Sequence, residues 1–221
     1  MFKSISIDGP AGAGKSGVSD ILANKLGFIH VDTGAIYRTV AFYFKDQEKF
    51  SDESFVCNEL KNISIDVKFY DDKQKMFLND VDVSNNLRND IISSVAAKVS
   101  QFRCVRDFLL PIQRKIAKSN NVIMDGRDIA TVVLPNADVK FFLTASLEER
   151  AMRRFNQLKS KNIECNYEEI LSSIKIRDRN DFDRTHSPLE VAKDAIFFDT
   201  TGKTIDEVVK FLMIEIKKVI N

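Results

Sequence analysis

A glycine-rich segment near the amino terminus has the residue types and spacing of a phosphate-binding loop. It stands between an apolar run, residues 2–7, and a helix-forming run, residues 18–26, and it reads G-x-x-x-x-G-K-S. Residues without a Cβ allow successive backbone N–H groups to turn toward one anion. Lys15 can then reach the outer phosphates, and the Ser16 hydroxyl can ligate Mg²⁺. The segment predicts a nucleoside triphosphate site formed by Gly9, Pro10, Ala11, Gly12, Ala13, Gly14, Lys15 and Ser16.

Three further segments could bind a second ligand. They read D-T-G-A-I-Y-R from Asp32, D-G-R-D from Asp125 and R-D-R-N-D-F-D-R from Arg177. The planar guanidinium group binds phosphate oxygens in pairs, so this number of arginines near a phosphate loop indicates a second phosphate-bearing ligand. Ordinary alternatives exist: Arg38 could pair with an acid on a surface helix, and residues 177–184 could be a solvated helix end.

The apolar pattern predicts the scaffold that would bring these segments together. Three of five short apolar runs are nearly continuous, as in strands of a parallel sheet that is buried on both faces. The predicted strands are residues 2–7, 28–31, 122–124, 139–143 and 195–198. Helical stretches separate several of them: residues 15–26, 105–118, 147–158, 167–179 and 204–219. The alternation predicts an α/β fold with a doubly wound five-stranded parallel sheet flanked by helices.

Polar residues stand at or just beyond the carboxyl ends of the predicted strands: Asp8, Asp32, Asp125, Thr144 and Asp199. Open α/β sheets bind ligands at that edge, so these residues define one side of a site. Asp and Thr also cap helices, and capping is the favoured interpretation for Thr144 and Asp199. Arg153 and Arg154 are typical of a charged helix face, but their place after the fourth strand would also allow one of them to reach the triphosphate.

Between residues 63 and 83 the pattern changes. Apolar and polar residues alternate from 63 to 67, and an Asn79-Asp80 turn precedes another short alternating run. Period-two alternation and a tight turn are typical of a small antiparallel meander. We therefore expect an inserted subdomain over residues 50–89. The surrounding core would comprise residues 1–49 and 90–221.

A charged segment, residues 177–184, is followed by Ser187-Pro188. Charge together with a Ser-Pro pair indicates a mobile loop rather than more core. We expect this loop to belong to a lid around residues 153–188.

Bulk composition limits the classes of function. The 221 residues are 44% hydrophobic, which is enough for one α/β core and a modest insert. Lys and Arg number 33 and Asp and Glu 32, so we expect no surface for a nucleic-acid polymer or an anionic membrane. No stretch approaches the roughly 18 apolar residues of a spanning helix, and no signal pattern begins the chain. We expect a soluble, cytoplasmic monomer.

The cysteines and histidines predict no metal site. Cys57, Cys104 and Cys165 are odd in number, far apart and form no C-x-x-C. We therefore expect no disulfide and no zinc, and we interpret all three as small buried apolar residues. His30 and His186 are equally isolated, and a histidine-based site would need more partners than the chain has.

Several motifs in one order resemble those of the bacterial cytidylate kinases. They are D-G-P-A-G-A-G-K-S from Asp8, D-T-G-A-x-Y-R from Asp32, V-R-x-x-L from Val105, D-G-R-D-x-x-T-V-V-L-P from Asp125, and R-D-x-x-D-x-x-R from Arg177, followed by S-P-L. The resemblance spans nearly the whole chain, and the motif from Asp125 is the most diagnostic. It implies Mg²⁺-assisted transfer of the ATP γ-phosphoryl group to CMP or dCMP, with a CMP-binding insert at the predicted meander.

The resemblance also implies roles for individual residues. By matching position, Arg38, Arg127 and Arg184 would bind the acceptor phosphate, Thr33, Arg106 and Asp128 the cytosine ring, and Arg177 and Asp181 the sugar. Asp128 can accept from the exocyclic amine of cytosine while Arg106 donates to the ring. Uracil would turn a carbonyl toward Asp128, so we expect UMP to be a poorer substrate.

The implied reaction needs alignment and charge neutralisation rather than a general base, because the acceptor is already an oxyanion. Lys15, Mg²⁺ on Ser16 and the arginines would hold donor and acceptor in line, and Asp125 would order the waters around Mg²⁺. Three positions depart from the family pattern. Ala97 replaces a serine near the sugar, Asn180 an arginine of the lid, and Gly17, beside the triphosphate, a threonine.

Other functions remain open at this point. A kinase acting on AMP or shikimate would share the phosphate loop, but Arg106 and Asp128 favour cytosine. A regulatory GTPase needs N-K-x-D for guanine, and Asn24-Lys25-Leu26-Gly27 lacks the aspartate. A nucleotide-dependent interaction module without turnover is disfavoured by the intact Lys15 and Ser16.

Overall fold

The structure, a computed structural model, describes residues 2–220. Its strands are β1 (Ser4–Asp8), β2 (Ile29–Asp32), β3 (Ile65–Tyr70), β4 (Lys73–Leu78), β5 (Val81–Asp82), β6 (Val122–Gly126), β7 (Val139–Thr144) and β8 (Ile196–Asp199). Its α-helices are α1 (Lys15–Leu26), α2 (Thr33–Phe44), α3 (Glu53–Glu59), α4 (Asp90–Val99), α5 (Arg103–Ser119), α6 (Leu147–Lys159), α7 (Tyr167–Phe182) and α8 (Ile205–Lys217). Short 3₁₀ turns lie at Leu60–Asn62 and Ser84–Asn86, and a π-helical segment spans Ile129–Val133.

A five-stranded parallel sheet in the order β2-β6-β1-β7-β8 forms the centre of the described region. Along it, Asp8 pairs in register with Gly126, and Asp32 pairs with Asp125. The carboxyl ends of β1, β2 and β6 therefore meet at one edge, which carries three of the predicted aspartates. The predicted fold class, a doubly wound five-stranded parallel sheet, is confirmed.

The central strands are buried because helices cover both faces of the sheet. Ile5, Ile7, Ile123 and Phe141 are 0% exposed, as the near-continuous apolar runs predict. One hydrophobic cluster lies between the sheet, α1 and α8. The other lies among the sheet, α2, α4 and α5. Between residues 2 and 220, no helix combines the length and the apolar character that crossing a bilayer requires.

The predicted meander is a three-stranded antiparallel sheet, β3-β4-β5. Its two turns, Asp71-Asp72 and Asn79-Asp80, have positive φ angles at all four residues, the backbone that tight hairpin turns require. Its buried side chains Met76 and Leu78 belong to the same hydrophobic cluster as Phe44 of α2. This sheet thus shares its core with the large sheet, and the subdomain boundaries 50–89 stay a prediction.

Two local predictions near the lid and the strand ends are wrong. Residues 177–182 continue α7 and do not form a mobile loop. Thr144 and Asp199 cap no helix, since Ser146 caps α6 and Thr204 caps α8. Instead the Thr144 carbonyl accepts hydrogen bonds from Thr200, and the Asp199 carboxylate accepts from Thr201.

The prediction of no disulfide is also wrong. Cys57 of α3 and Cys104 of α5 form a disulfide, with Cα atoms 5.7 Å apart and a sequence separation of 47. Packing of α3 against α5 brings them together, and sequence spacing carries no information on that packing. Cys165 has a free thiol and is half-buried, so none of the three is the fully buried apolar residue that was expected.

Candidate active site

The phosphate loop has the backbone that its glycines predict. Gly9, Gly12 and Gly14 have φ angles of 146°, 79° and 84°, and a Cβ on Gly9 would lie 1.9 Å from the Leu143 carbonyl oxygen. No L-residue with a side chain fits there without displacing β7. The Gly14–Lys15 junction begins α1, so the positive end of that helix faces the loop.

Lys15 lies inside the loop and close to the predicted acceptor side. Its side chain is buried, and its amine donates to the Pro10 carbonyl oxygen at 2.8 Å. Burial, and then the charge of Arg127, lowers its pKa from 10.5 to about 7. The strands that lead to the two residues are neighbours, with Asp8 opposite Gly126, so Lys15 and Arg127 follow the same edge of the sheet.

Ser16, Asp125 and His30 form a hydrogen-bonded chain below the loop. The Ser16 hydroxyl donates to Asp125 Oδ2 at 2.8 Å, and His30 Nε2 lies 2.7 Å from Asp125 Oδ1. Burial acts to raise the pKa of Asp125, but the hydrogen bond and charge of His30, together with the Lys15 charge and the Ser16 hydrogen bond, lower the pKa overall. A hydroxyl beside an ionised carboxylate is the oxygen donor set that Mg²⁺ prefers, so these residues fit the predicted metal.

The predicted phosphate-binding arginines are held by carboxylates. Asp181 accepts from Arg127 Nε at 2.7 Å and also pairs with Arg184. Arg38 donates to Asp32 at 2.7 Å, and Asp32 in turn caps α2 through the Ala35 N–H. All three guanidinium groups lie at the carboxyl edge of the sheet, each already oriented by an acid.

The predicted cytosine and sugar residues lie in the same region. Arg106 and Asp128 form a buried ion pair, and the Thr33 hydroxyl donates to the Asp125 carbonyl oxygen at 2.7 Å. Burial, and then the neighbouring Arg127, lowers the pKa of Arg177 to about 10. The pKa of Arg184 is lowered, mainly by burial, and the charges of Asp181, Arg106 and Asp128 also affect it. The structure thus brings the sequence-predicted acceptor residues together at one edge.

Comparison with known proteins identifies the family of the chain. The model of the cytidylate kinase family matches residues 5–218. The chain belongs to the cytidylate kinase family. The cytidylate kinase of Fusobacterium nucleatum subsp. nucleatum is 46% identical over 216 residues, covering 97% of each chain. That of Caldanaerobacter subterraneus subsp. tengcongensis is 48% identical over 215 residues, covering 97% of this chain and 94% of that one.

Family membership confirms the resemblance that the motifs carry and makes the protein a nucleotide-using phosphotransferase. A solved structure of an uncharacterised protein from Eubacterium ventriosum is similar in fold, with a TM-score of 0.54 and 11% identity, covering 97% of this chain and 98% of that one. At this identity the likeness concerns the fold alone.

Three residues of this cytidylate kinase site are missing from the sequence prediction. Arg150, 6% exposed, donates to the Ala11 carbonyl oxygen at 3.0 Å and to Asp178 at 2.5 Å, and so joins the phosphate loop to α7. Its position three residues before Arg153, on the same face of α6, is the signal that could have found it. His30, predicted to be isolated, pairs with Asp125.

The third missed residue is Tyr37 of α2. Burial raises its pKa to about 12, and the Arg106 guanidinium lies 5.4 Å from its ring centroid. Its hydroxyl therefore stays protonated, and its ring supports the arginine of the Arg106–Asp128 pair. Arg153, left undecided by the sequence, is held by Glu149 and Thr200 beside the phosphate loop. Its Nη1 lies 3.8 Å from where a Gly14 Cβ would be.

Proposed function

We propose that the protein transfers the γ-phosphoryl group of ATP to CMP or dCMP, with Mg²⁺, as a cytoplasmic monomer. The observation that supports the proposal is that the phosphate loop and the loop with Arg127 follow neighbouring strands at one edge of a single sheet. The phosphate loop follows Asp8 and Arg127 follows Gly126, and Asp8 and Gly126 pair in register on neighbouring strands. Such an arrangement suits two phosphate-bearing ligands whose reacting atoms must meet.

The donor triphosphate would lie in the loop from Gly9 to Gly17. Backbone N–H groups, the start of α1 and Lys15 would bind its oxygens, and Arg153, fixed by Glu149 and Thr200, would flank it. Mg²⁺ would be held by Ser16 and, through water, by Asp125, and when bound it neutralises charge on the transferring group. His30 contacts Asp125 Oδ1 at 2.7 Å, which holds the carboxylate in place, and His30, Lys15 and Ser16 together lower the pKa of Asp125.

The acceptor phosphate would be bound by Arg38, Arg127 and Arg184. In the ligand-free protein Asp181 engages both Arg127 and Arg184. A phosphate dianion offers three oxygens to the same guanidinium forks, so it can replace this carboxylate and release it toward the sugar hydroxyls. Arg177, which is half-buried near Arg127, would bind the sugar together with the released Asp181.

The cytosine ring would be recognised by Thr33, Arg106 and Asp128. Because Arg106 and Asp128 are 7% and 4% exposed, an uncompensated acceptor placed against Asp128 would find no water to pair with. Cytosine presents an amine there and uracil a carbonyl. The pair therefore favours cytosine by polarity rather than by size.

Closure would exclude water from the reaction. The insert, residues 50–89, would move over the acceptor and the lid, residues 153–188, over the donor. Since residues 177–182 are helical, the lid would move as α6 and α7 and not as a loop. Arg150 joins those two helices to the phosphate loop through Asp178 and Ala11, so it would transmit the movement.

A coupled assay of ADP release with CMP, dCMP, UMP, AMP and shikimate tests the proposal. We expect turnover with CMP and dCMP, weaker turnover with UMP, and slow ATP hydrolysis without acceptor. Turnover with AMP or shikimate alone, or rapid acceptor-independent hydrolysis, would contradict it. Arg127→Ala should lower turnover by about 10² to 10³. Light scattering of the eluted protein measures the mass and tests the monomer.

A further inference from the structure

Asp8, at the end of the central strand β1, makes contacts that no role described so far explains. Its carboxylate is 1% exposed. Oδ1 accepts from the Ile129 N–H at 2.9 Å and Oδ2 from the Ala130 N–H at 2.7 Å. Both oxygens are thus engaged by the backbone of a different loop, and neither points to solvent.

The contact of Asp8 with Ile129 and Ala130 joins residues that lie directly next to the two predicted binding loops. Asp8 immediately precedes Gly9, the first residue of the phosphate loop, and Ile129 immediately follows Asp128, the proposed reader of cytosine. Asp8 therefore links the two loops. It is covalently next to the phosphate loop, and its carboxylate is hydrogen-bonded to the residues that directly follow Asp128. We propose that Asp8 is a positioning residue that fixes the Arg127–Asp128 loop against the phosphate loop. This inference rests on the proposed function.

The segment that Asp8 holds needs an external acceptor. The π-helix Ile129–Val133 begins with N–H groups that have no carbonyl of the same helix to bind. Ile129 and Ala130 are 1% and 4% exposed, so water does not replace the missing carbonyls. Without Asp8 the start of this helix, and Asp128 just before it, would shift to find other acceptors.

The far end of the same π-helix is held by a second charged side chain. Arg114 of α5 donates from Nε to the Val133 carbonyl oxygen at 3.0 Å and from Nη2 to the Val132 carbonyl oxygen at 2.8 Å. The Asp8 carboxylate therefore holds the π-helix at its N–H end, and the Arg114 guanidinium holds it at its carbonyl end. These two contacts, here called clamps, fix the five-residue helix and the loop that leads into it.

The ionisation of Asp8 agrees with this role. Burial raises its pKa to about 6, while the two backbone hydrogen bonds act in the opposite direction. Above neutral pH it is therefore a carboxylate with two acceptor oxygens. Asparagine has the same shape but one acceptor oxygen, and its amide would direct N–H against N–H.

The variant Asp8→Asn tests the proposal at about pH 8. We expect kcat/KM for CMP to fall about tenfold or more, because small displacements of an aligned site are costly. We also expect the ratio of kcat/KM for CMP to that for UMP to fall about threefold or more. The Kd of ATP without acceptor, measured by calorimetry, should change less than about twofold, because the phosphate loop keeps its own contacts.

The matched control is Asp138, which precedes β7 and contacts the opposite end of β1. Its carboxylate accepts from the Ser4 N–H at 2.8 Å, so it also binds a backbone donor, but at the end of β1 away from the carboxyl edge of the sheet. Asp138→Asn should lower stability and leave the CMP to UMP ratio unchanged. If both variants alter the ratio equally, or if Asp8→Asn lowers ATP and CMP binding together, Asp8 is only structural and the proposal is overturned.

A second variant covers the case in which Asp8→Asn does not fold. Arg114 is exposed, so Arg114→Met should fold, and releasing the other clamp should lower the CMP to UMP ratio in the same direction by a smaller factor. An unchanged ratio in Arg114→Met with an unfolded Asp8→Asn refutes the proposal. Asp128→Ala separates the proposed function from the role of Asp8. If Asp128→Ala keeps the wild-type ratio, Asp128 does not recognise cytosine and the proposed function is wrong. If Asp128→Ala loses discrimination while Asp8→Asn and Arg114→Met keep the wild-type ratio, only the role of Asp8 is rejected.

Discussion

Replacing Lys15 with methionine should stabilise the ligand-free protein while abolishing ATP binding. The Lys15 amine is buried and donates to one carbonyl oxygen, that of Pro10, at 2.8 Å. Burial and the charge of Arg127 lower its pKa from 10.5 to about 7. Methionine fills a similar volume without a charge. The variant therefore avoids the free-energy cost of burying the Lys15 charge, which in the wild-type protein only a bound triphosphate offsets.

The magnitude follows from the pKa difference between the folded and unfolded chain. One pKa unit corresponds to about 1.4 kcal/mol, so the shift from 10.5 to about 7 sets an upper limit of about 5 kcal/mol below pH 7. The lost hydrogen bond to Pro10 offsets about 1 kcal/mol, and water that reaches the amine reduces the remainder. We expect Lys15→Met to raise the free energy of unfolding by about 2 kcal/mol.

The gain should depend on pH in a defined direction. The unfolded chain keeps the Lys15 proton up to a pH near 10.5, whereas the folded chain releases it near 7. Between these values the unfolded state binds more protons, so this group makes the wild-type protein more stable as pH rises. The advantage of the variant is therefore greatest at about pH 6 to 7 and shrinks toward about pH 10.

Urea unfolding of ligand-free protein at about pH 6.5 and about pH 9.5, with calorimetry of ATP binding, measures both effects. Lys140→Met is the matched control. Lys140 is also buried but is bound by the Asp194 carboxylate at 2.8 Å, so its removal should destabilise the protein. A Lys15→Met variant that is less stable than wild type, or whose difference from wild type is the same at both pH values, would refute the reasoning.

Two further predictions concern the disulfide and the phosphate loop. Cys57→Ser, without reductant, should lower the free energy of unfolding in urea by up to about 4 kcal/mol, since the bridge closes a loop of 47 residues; a difference that persists unchanged in reductant would argue against the bridge. Gly9→Ala should abolish the rise of Tm on adding ATP, because its Cβ would lie 1.9 Å from the Leu143 carbonyl oxygen. Gly27→Ala, with nothing within 4 Å of its Cβ, should keep that rise, and equal losses in both variants would rule out the proposed steric cause.

Features with a local cause could be predicted from the sequence. The spacing of glycines before Lys15 defines the phosphate loop, since the required backbone is written in consecutive residues. The position of Asp32 and Asp125 after apolar runs places both at the same sheet edge. In each case a few neighbouring residues carry the whole signal.

Features with a non-local cause could not be predicted from the sequence. The Cys57–Cys104 bridge depends on how α3 meets α5. The His30–Asp125 contact depends on the pairing of β2 with β6, where His30 stands opposite Ile123 and so on the same face as Asp125. The helical course of residues 177–182 has a local cause, and the loop prediction there is wrong. Arg179 and Asp183 are spaced by four and pair at 3.3 Å, a spacing that indicates a helix.

The sharing of Asp181 between Arg127 and Arg184 has a consequence for selectivity against the small anions of a cell. Before any nucleotide arrives, one carboxylate already offsets part of the charge of these two positive groups, so a monovalent ion such as chloride gains less there than at two free arginines. A species with at least two negative charges on adjacent oxygens is better able to displace Asp181. The resting enzyme should therefore be inhibited less by ordinary salt than by multivalent oxyanions, which compete with the nucleotide.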